Sequence, residues 1–352
     1  MNKLWSSMAK RAEPYIPGEQ LNKDNILKLN TNENPYPPSP KVIQAITTEV
    51  GKDLRLYPSP TMENLREEIA NYYNLKMENI FIGNGSDEVL AFSFMAFFEP
   101  EKEILFPNIT YSFYPVYAKL FDIPYKEVTL KEDFSLDIKQ FFNSKGGVIF
   151  PNPNAPTSVY LPLEHVEAIV KNNSNKVVIV DEAYIDYAPE SAVSLVNKYD
   201  NLLVIQTMSK SRALAGLRIG FALGNEKLIH ALIRMKDSFN SYPVDRLALA
   251  GATAAINDKP YFEATTEKII KTRGWTTDQL KELGFQVLPS ATNFVFASHQ
   301  DIEAETLYKK LRDKDILIRY FGKEPIDNYV RITIGTDEEM QQLIEEIKHI
   351  LN

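Results

Sequence analysis

The chain has 352 residues, 44% hydrophobic and 24% charged, with a formal net charge of −8 and no cysteine. That composition buries a sizeable core, sets a prior of about two domains and excludes a disordered chain. The acidic balance leaves no basic stripe for nucleic acid or an anionic membrane. Without cysteine there are no disulfides, thiol nucleophiles, iron–sulfur clusters or cysteine-bound zinc.

Residues 1–30 carry Pro14, Pro17 and Gly18 with weak periodicity and are expected to form an N-terminal arm. Residues 1–7 are too short and polar for a signal, and the apolar run 89–98 is far too short to cross a bilayer. A soluble, cytoplasmic protein is therefore expected. Leu29-Asn-Thr-Asn-Glu-Asn34-Pro-Tyr-Pro-Pro-Ser-Pro40 must be extended, because each proline biases its predecessor away from helix. Helices are predicted at about 40–50 and 61–73, the second with Leu65, Ile69 and Tyr72 on one face.

From residue 80 to about 224, apolar runs alternate with helical stretches. The runs lie at 80–82, 103–106, 125–128, 147–150, 177–180, 202–205 and 219–222. Several are apolar throughout, as strands buried on both faces should be. The expectation is an α/β fold: a large domain over 31–250 with a mostly parallel seven-stranded sheet covered by helices. Helices at 226–238 and 243–256 lead out of it. A smaller α+β domain over 251–352 follows, with helix 261–283, strands 285–288 and 293–297, and a helix near 303–313. Strands 316–319 and 329–334 come next. Met340, Leu343, Ile344, Ile347 and Leu351 then form the apolar face of a closing helix.

Chemistry concentrates behind the strands. Lys210, in Thr207-Met-Ser-Lys210-Ser, follows the run 202–205 and is flanked by hydroxyls. Such a lysine is either a solvated surface charge or an amine nucleophile able to condense with a carbonyl to a Schiff base. Arg218, held between Gly216 and Gly220, is either a partner for a carboxylate or a fork of donors for a phosphate. Lysine and arginine together describe a site for a phosphorylated aldehyde, of which pyridoxal 5′-phosphate is the common one. Asp181 ends a buried strand, where ligands meet open parallel sheets, and Tyr184 follows three residues on. They are a capping Asp with a packed Tyr or, as their joint position favours, partners for a pyridine nitrogen and a ring's phenolic oxygen.

Gly83-Asn-Gly85-Ser-Asp-Glu88 is either an Asn-Gly hairpin or a glycine-freed helix N-terminus that cradles an anion. The helical continuation favours the cradle, which Ser209 and Arg218 would complete. Tyr111 is core packing or a ring for a flat ligand to stack on. The asparagines of Asn152-Pro-Asn154-Ala-Pro156-Thr157 are turn formers or ligand donors. Arg331 lies on the opposite strand face from Val330, Ile332 and Ile334, and Arg319 ends its own strand. Both are solvent-facing residues or, converging on a cleft, recognise carboxylate or phosphate. The four histidines, His165, His230, His299 and His349, match no metal-ligand spacing, and no metal is expected.

With these motifs assembled, the chain resembles the fold-type I pyridoxal-phosphate aminotransferases from end to end. Leu56-Tyr57-Pro58, Asp181-Glu-Ala-Tyr184, Ala215-Gly-Leu-Arg218 and Val330-Arg331-Ile-Thr-Ile-Gly335 add to the motifs above. The resemblance implies a cofactor held by Lys210, with Asp181 at its pyridine nitrogen and Tyr184 at its phenolic oxygen. Tyr111 would stack on the ring, and Gly85, Ser86, Ser209 and Arg218 would hold the phosphate. It also implies a homodimer with shared active sites, in which Tyr57 reaches the neighbour's cofactor phosphate and Tyr15 covers the neighbour's substrate. Arg331, assisted by Arg319, would bind the substrate's anion, with Asn34 also at the substrate. The substrates would be a small-molecule amino donor and a 2-oxo acid.

Two departures stand out: the family's Asn-Pro-Asn-Asn-Pro-Thr-Gly turn here has Ala155 and Ser158 in place of its last asparagine and its glycine. Asn154 would then replace the missing bond to the phenolic oxygen, or Tyr184 would act alone. The alternatives on the same scaffold are an aromatic or broad-range aminotransferase, a decarboxylase, and an inactive ligand-binding or regulatory module.

Overall fold

The computed structural model describes residues 3–15, 18–19 and 25–352; Pro17 of the arm lies outside them. In chain order the first elements are α1 (Ser7–Arg11), β1 (Leu27–Lys28), α2 (Pro40–Glu49), α3 (Glu63–Tyr73), β2 (Ile80–Asn84) and α4 (Gly85–Phe97). Then come β3 (Ile104–Pro107), α5 (Phe113–Leu120), β4 (Tyr125–Val128), β5 (Gly147–Pro151), α6 (Leu163–Lys171), β6 (Val178–Asp181), β7 (Leu202–Thr207) and β8 (Ile219–Gly224). Helices α7 (Glu226–Phe239), α8 (Arg246–Asn257) and α9 (Lys259–Glu282) precede β9 (Phe285–Val287), β10 (Phe294–His299) and α10 (Ala304–Arg312). The chain closes with β11 (Ile316–Leu317), β12 (Arg319–Tyr320), β13 (Val330–Thr333) and α11 (Asp337–Leu351).

The large sheet has seven strands in the order β2-β8-β7-β6-β5-β3-β4. Only β8 runs against its neighbours; every other pairing is parallel. Strands β5 to β8 are buried along their whole length, as their unbroken apolar sequences require when helices cover both faces. The antiparallel β8 has a consequence for the site. Its first two residues meet the last residues of β2 and β7, with Asn84 opposite Ile219 and Thr207 opposite Gly220. One edge of the sheet therefore gathers Gly85, Ser209 and Arg218, which the sequence scatters over more than a hundred positions.

A four-stranded antiparallel sheet, β12-β13-β10-β9, carries the smaller core with α9, α10 and α11. Helix α11 starts at a reciprocal cap in which Thr336 and Glu339 satisfy each other's backbone N–H groups. The predicted strand 316–319 divides: Ile316 and Leu317 pair in parallel with Leu27 and Lys28, whereas Arg319 and Tyr320 pair with β13. Leu27 and Leu29 pack into the smaller core, so the end of the arm segment is a strand of that unit. Helix α8 runs continuously through residue 250, and its Ala252, Ala255 and Ile256 pack into the core of the large sheet. Among the described residues no helix is long and apolar enough to cross a membrane.

Candidate active site

Helix α4 begins at Gly85, directly at the end of β2, so Gly85, Ser86 and Asp87 form its first turn and the Asn-Gly hairpin alternative is excluded. Their N–H groups have no partner within the helix, which makes this end a ready anion site. Gly85 has φ +77°, and a Cβ there would lie 2.5 Å from Arg218 Nη2. A Cβ on Gly220 would lie 2.2 Å from Ser86 N. Both glycines are thus required for the arginine and the helix end to converge. Arg218 itself has φ 55°, a left-handed conformation that costs a non-glycine residue about 1 kcal/mol or more. Its guanidinium pairs with Asp87 at 3.0 Å, and Asp87 also accepts from the Tyr111 hydroxyl at 2.8 Å. Ser209 is buried and accepts from the Thr207 hydroxyl at 2.9 Å.

Asp181 ends β6, buried, with Tyr114 donating to Oδ2 at 2.9 Å and the Ala183 N–H to Oδ1 at 3.3 Å. It has no ion-pair partner among the described residues. Burial pushes its pKa up from 3.8 to about 6, against the stabilising bond from Tyr114. Next to it Glu182 is also buried and is pushed up to about 7, although Ser191, Ala192 and Gln206 donate to it. Sequence reading passed over Glu182. Both carboxyls favour the fold while protonated, fully below about pH 4, and that contribution is lost as pH rises through 6 to 7. The ligand-free protein is therefore expected to melt at a lower temperature at pH 8 than at pH 5. Asp181→Asn should lessen that drop without abolishing it, since Glu182 remains. Identical pH dependence in the two proteins, measured by calorimetry, would contradict the assignment of a buried, unpaired Asp181.

Lys210 lies one turn beyond β7. Its Nζ donates to the Thr31 carbonyl at 3.3 Å and sits 5.8 Å from the centre of the Tyr184 ring. Tyr184 is wedged edge-on against Phe294 at 5.1 Å, and its hydroxyl accepts from Asn32 Nδ2 at 2.8 Å. Asn34 is not at the cleft. Its amide nitrogen donates to the carbonyls of Lys210 and Ser211 at 3.1 and 3.0 Å, tethering the lysine's backbone. Asn32, two residues earlier and unnoticed in the sequence, lines the cleft instead.

The cleft has a volume of about 820 Å³, and its walls bring together Tyr15, Asn32, Tyr111, Tyr184, Lys210, Arg319 and Arg331. Arg331 Nη2 donates to the Asn30 carbonyl at 2.8 Å, and its guanidinium lies 5.3 Å from the Phe294 ring and 5.7 Å from Phe321. No carboxylate pairs with it among the described residues, Nε has no partner, and burial lowers its pKa. Arg319 lies over Phe321 at 5.6 Å and likewise forms no ion pair among them. Two cations without anions face one cleft.

Two expected residues, Asn154 and Tyr57, lie away from the cleft. Asn154 is buried within its own turn, its amide nitrogen donating to the Ile109 carbonyl at 3.0 Å and the Thr157 hydroxyl at 2.8 Å. Ala155, not Asn154, reaches the cleft wall. Ser158 keeps a left-handed backbone, φ 68°, at the position where the resembling family has glycine. Tyr57 is 80% exposed and stacks on Tyr242 at 4.7 Å, away from this chain's own cleft. Tyr15 stacks on Phe113 of the same chain at 4.4 Å, beside Tyr111.

A family model described as aminotransferase class I and II matches residues 24–347. The chain is 60% identical over 351 residues to histidinol-phosphate aminotransferase 1 of Oceanobacillus iheyensis, covering 100% of this chain and 99% of that one. It is 56% identical over 352 residues to the histidinol-phosphate aminotransferase of Clostridium botulinum strain 657, again with 100% and 99% coverage. The solved histidinol-phosphate aminotransferase of Sinorhizobium meliloti, a complex with pyridoxal-5′-phosphate, matches with a TM-score of 0.90 at 25% identity. That match covers 100% of this chain and 98% of the other.

Proposed function

The chain belongs to the class I and II aminotransferases, and we propose that it transfers the amino group of L-histidinol phosphate to 2-oxoglutarate. The products are imidazole acetol phosphate and L-glutamate, a step of histidine biosynthesis. The observation that carries this reading is Arg331, a guanidinium without a carboxylate partner among the described residues, in the same cleft as Lys210.

The residues present fit pyridoxal 5′-phosphate. Gly85 and Gly220 leave open the space a phosphate cradle needs, and Asp181 is a buried carboxylate with no cation against it among the described residues. When bound, the cofactor supplies an aldehyde that condenses with amines and a protonated ring that draws off the electrons left by the departing Cα proton. Lys210 offers its Nζ as the anchoring amine and then as the base that removes and returns that proton. Asp181 would supply a negative charge to the ring nitrogen, Tyr184 would give its hydroxyl proton to the phenolic oxygen, and Tyr111 would lend its face. Gly85, Ser86, Ser209 and Arg218 bind the phosphate. Arg331 grips the donor's phosphate or the acceptor's carboxylate, with Arg319 beside it.

Gly85→Ala is expected to loosen the cofactor, because the new methyl group displaces Arg218. Dialysis followed by absorbance of the retained cofactor measures this, and undiminished retention would rule out the cradle. The exposed Tyr57–Tyr242 stack, with exposed Leu54, Leu56 and Phe239, suits a buried subunit contact. It supports a homodimer in which Tyr57 reaches the neighbour's phosphate site, whereas Tyr15 lines this chain's own cleft beside Tyr111.

A donor panel in single turnover tests the substrate. Histidinol phosphate should react at least ten times faster than histidine, phenylalanine, tyrosine or threonine phosphate. Preference for phenylalanine would instead make this an aromatic aminotransferase, and carbon dioxide release a decarboxylase. A spectrum that no donor changes would favour the inactive module.

A further inference from the structure

Asn32 is held on every side but one. It is 1% exposed and sits at φ 56°. Its N–H donates to Thr333 Oγ1 at 3.0 Å, and its carbonyl accepts from Asn293 at 3.0 Å. Because the Thr333 oxygen already accepts from that N–H, its own proton goes to Asn32 Oδ1, at 3.1 Å. This fixes which end of the amide is which: Oδ1 faces Thr333, and Nδ2 faces the Tyr184 hydroxyl at 2.8 Å.

A tyrosine oxygen that accepts a hydrogen bond from an amide has its single proton left to give elsewhere. That proton has no acceptor among the described residues, and Phe294 keeps the ring from turning away. The usual second donor to the cofactor's phenolic oxygen is missing here, with Ala155 at the cleft and Asn154 engaged in its own turn. We propose that Asn32, locked by Thr333, is a positioning residue that polarises Tyr184 so that its hydroxyl serves as the donor to that oxygen. Thr333 stands two residues beyond Arg331 on the same face of β13, so the strand that grips the substrate's anion also braces this relay. The inference rests on the pyridoxal-phosphate reading of the site.

The test reads the bound cofactor's visible absorbance against pH in the purified holoenzyme. A donor to the deprotonated oxygen favours the deprotonated form, so weakening it moves the midpoint upward. Asn32→Gly suits the left-handed backbone and adds no charge. Lys210 near the ring, Arg331 and Asp181 stay in place. The expected rise is about 0.5–1 pH unit, the scale of one net hydrogen bond. Thr333→Val should shift the midpoint the same way by less, and Thr333→Ser should restore it. In a Tyr184→Phe background, Asn32→Gly should add no further shift.

A midpoint unmoved by Asn32→Gly and Thr333→Val overturns the proposal. So does a shift of equal size in the Tyr184→Phe background, which would mean that Asn32 acts without the tyrosine. A higher KM with an unchanged midpoint would assign Asn32 to the substrate alone and also overturn it. Those outcomes leave the cofactor reading standing, whereas a wild-type protein with no cofactor band overturns both.

Discussion

Lys210→Ala is expected to lower kcat by at least about 10³-fold, because general-base transfer alone is worth roughly 10²–10⁴ and the lysine also anchors the cofactor. The geometry makes the effect specific to the side chain. Asn34 holds the carbonyls of Lys210 and Ser211, so the backbone at this corner stays tethered when the side chain is removed. The variant should therefore fold and keep the cofactor phosphate in its cradle. Turnover within tenfold of wild type would mean that another group moves the proton. An added primary amine that restores part of the rate, more strongly at higher pH, would support the assignment.

Arg331→Gln is expected to raise KM for the amino donor and the 2-oxo acid together. Two charge-assisted bonds, each worth about 1.5–3 kcal/mol, correspond to a loss of roughly 10²–10⁴ in kcat/KM. Arg331→Lys should recover little, since a point charge cannot reproduce a planar fork. Stability should change little, because the substitution removes a half-buried cation that lacks a counter-ion among the described residues. Arg319→Gln should act on the phosphorylated donor more than on the acceptor. Equal penalties on both substrates from Arg319→Gln would show that the two arginines do not divide the work.

Much of the fold was legible because the central strands are apolar throughout, a pattern that leaves little choice but a sheet covered on both faces. Lys210, Asp181 and Tyr111 were legible because residues just past such strands share one edge of the sheet. The short pieces were not. Two-residue strands such as β1 and β11 have no periodicity, and only contact with each other defines them. The extended reading of Leu29 to Pro40 was sound, but extended backbone alone does not say which asparagine faces the cleft. The left-handed turn at Asn32 decides that, turning Asn32 to Tyr184 and Asn34 to the lysine backbone. Asn154 was hidden for a similar reason: a turn asparagine serves its own loop or a ligand, and here the Ile109 carbonyl and Thr157 hydroxyl claim it. Glu182 carries no sequence signal beyond its place beside Asp181, because its burial depends on Gln206 and Ser191 arriving from other segments.

The most direct test of the account is to reduce the purified holoenzyme with borohydride, digest it and map the modified lysine by mass spectrometry. The account predicts one pyridoxyl group, on the peptide that contains Lys210, and none in Lys210→Ala. A pyridoxyl group on any other lysine, or a stable adduct in the alanine variant, would contradict it.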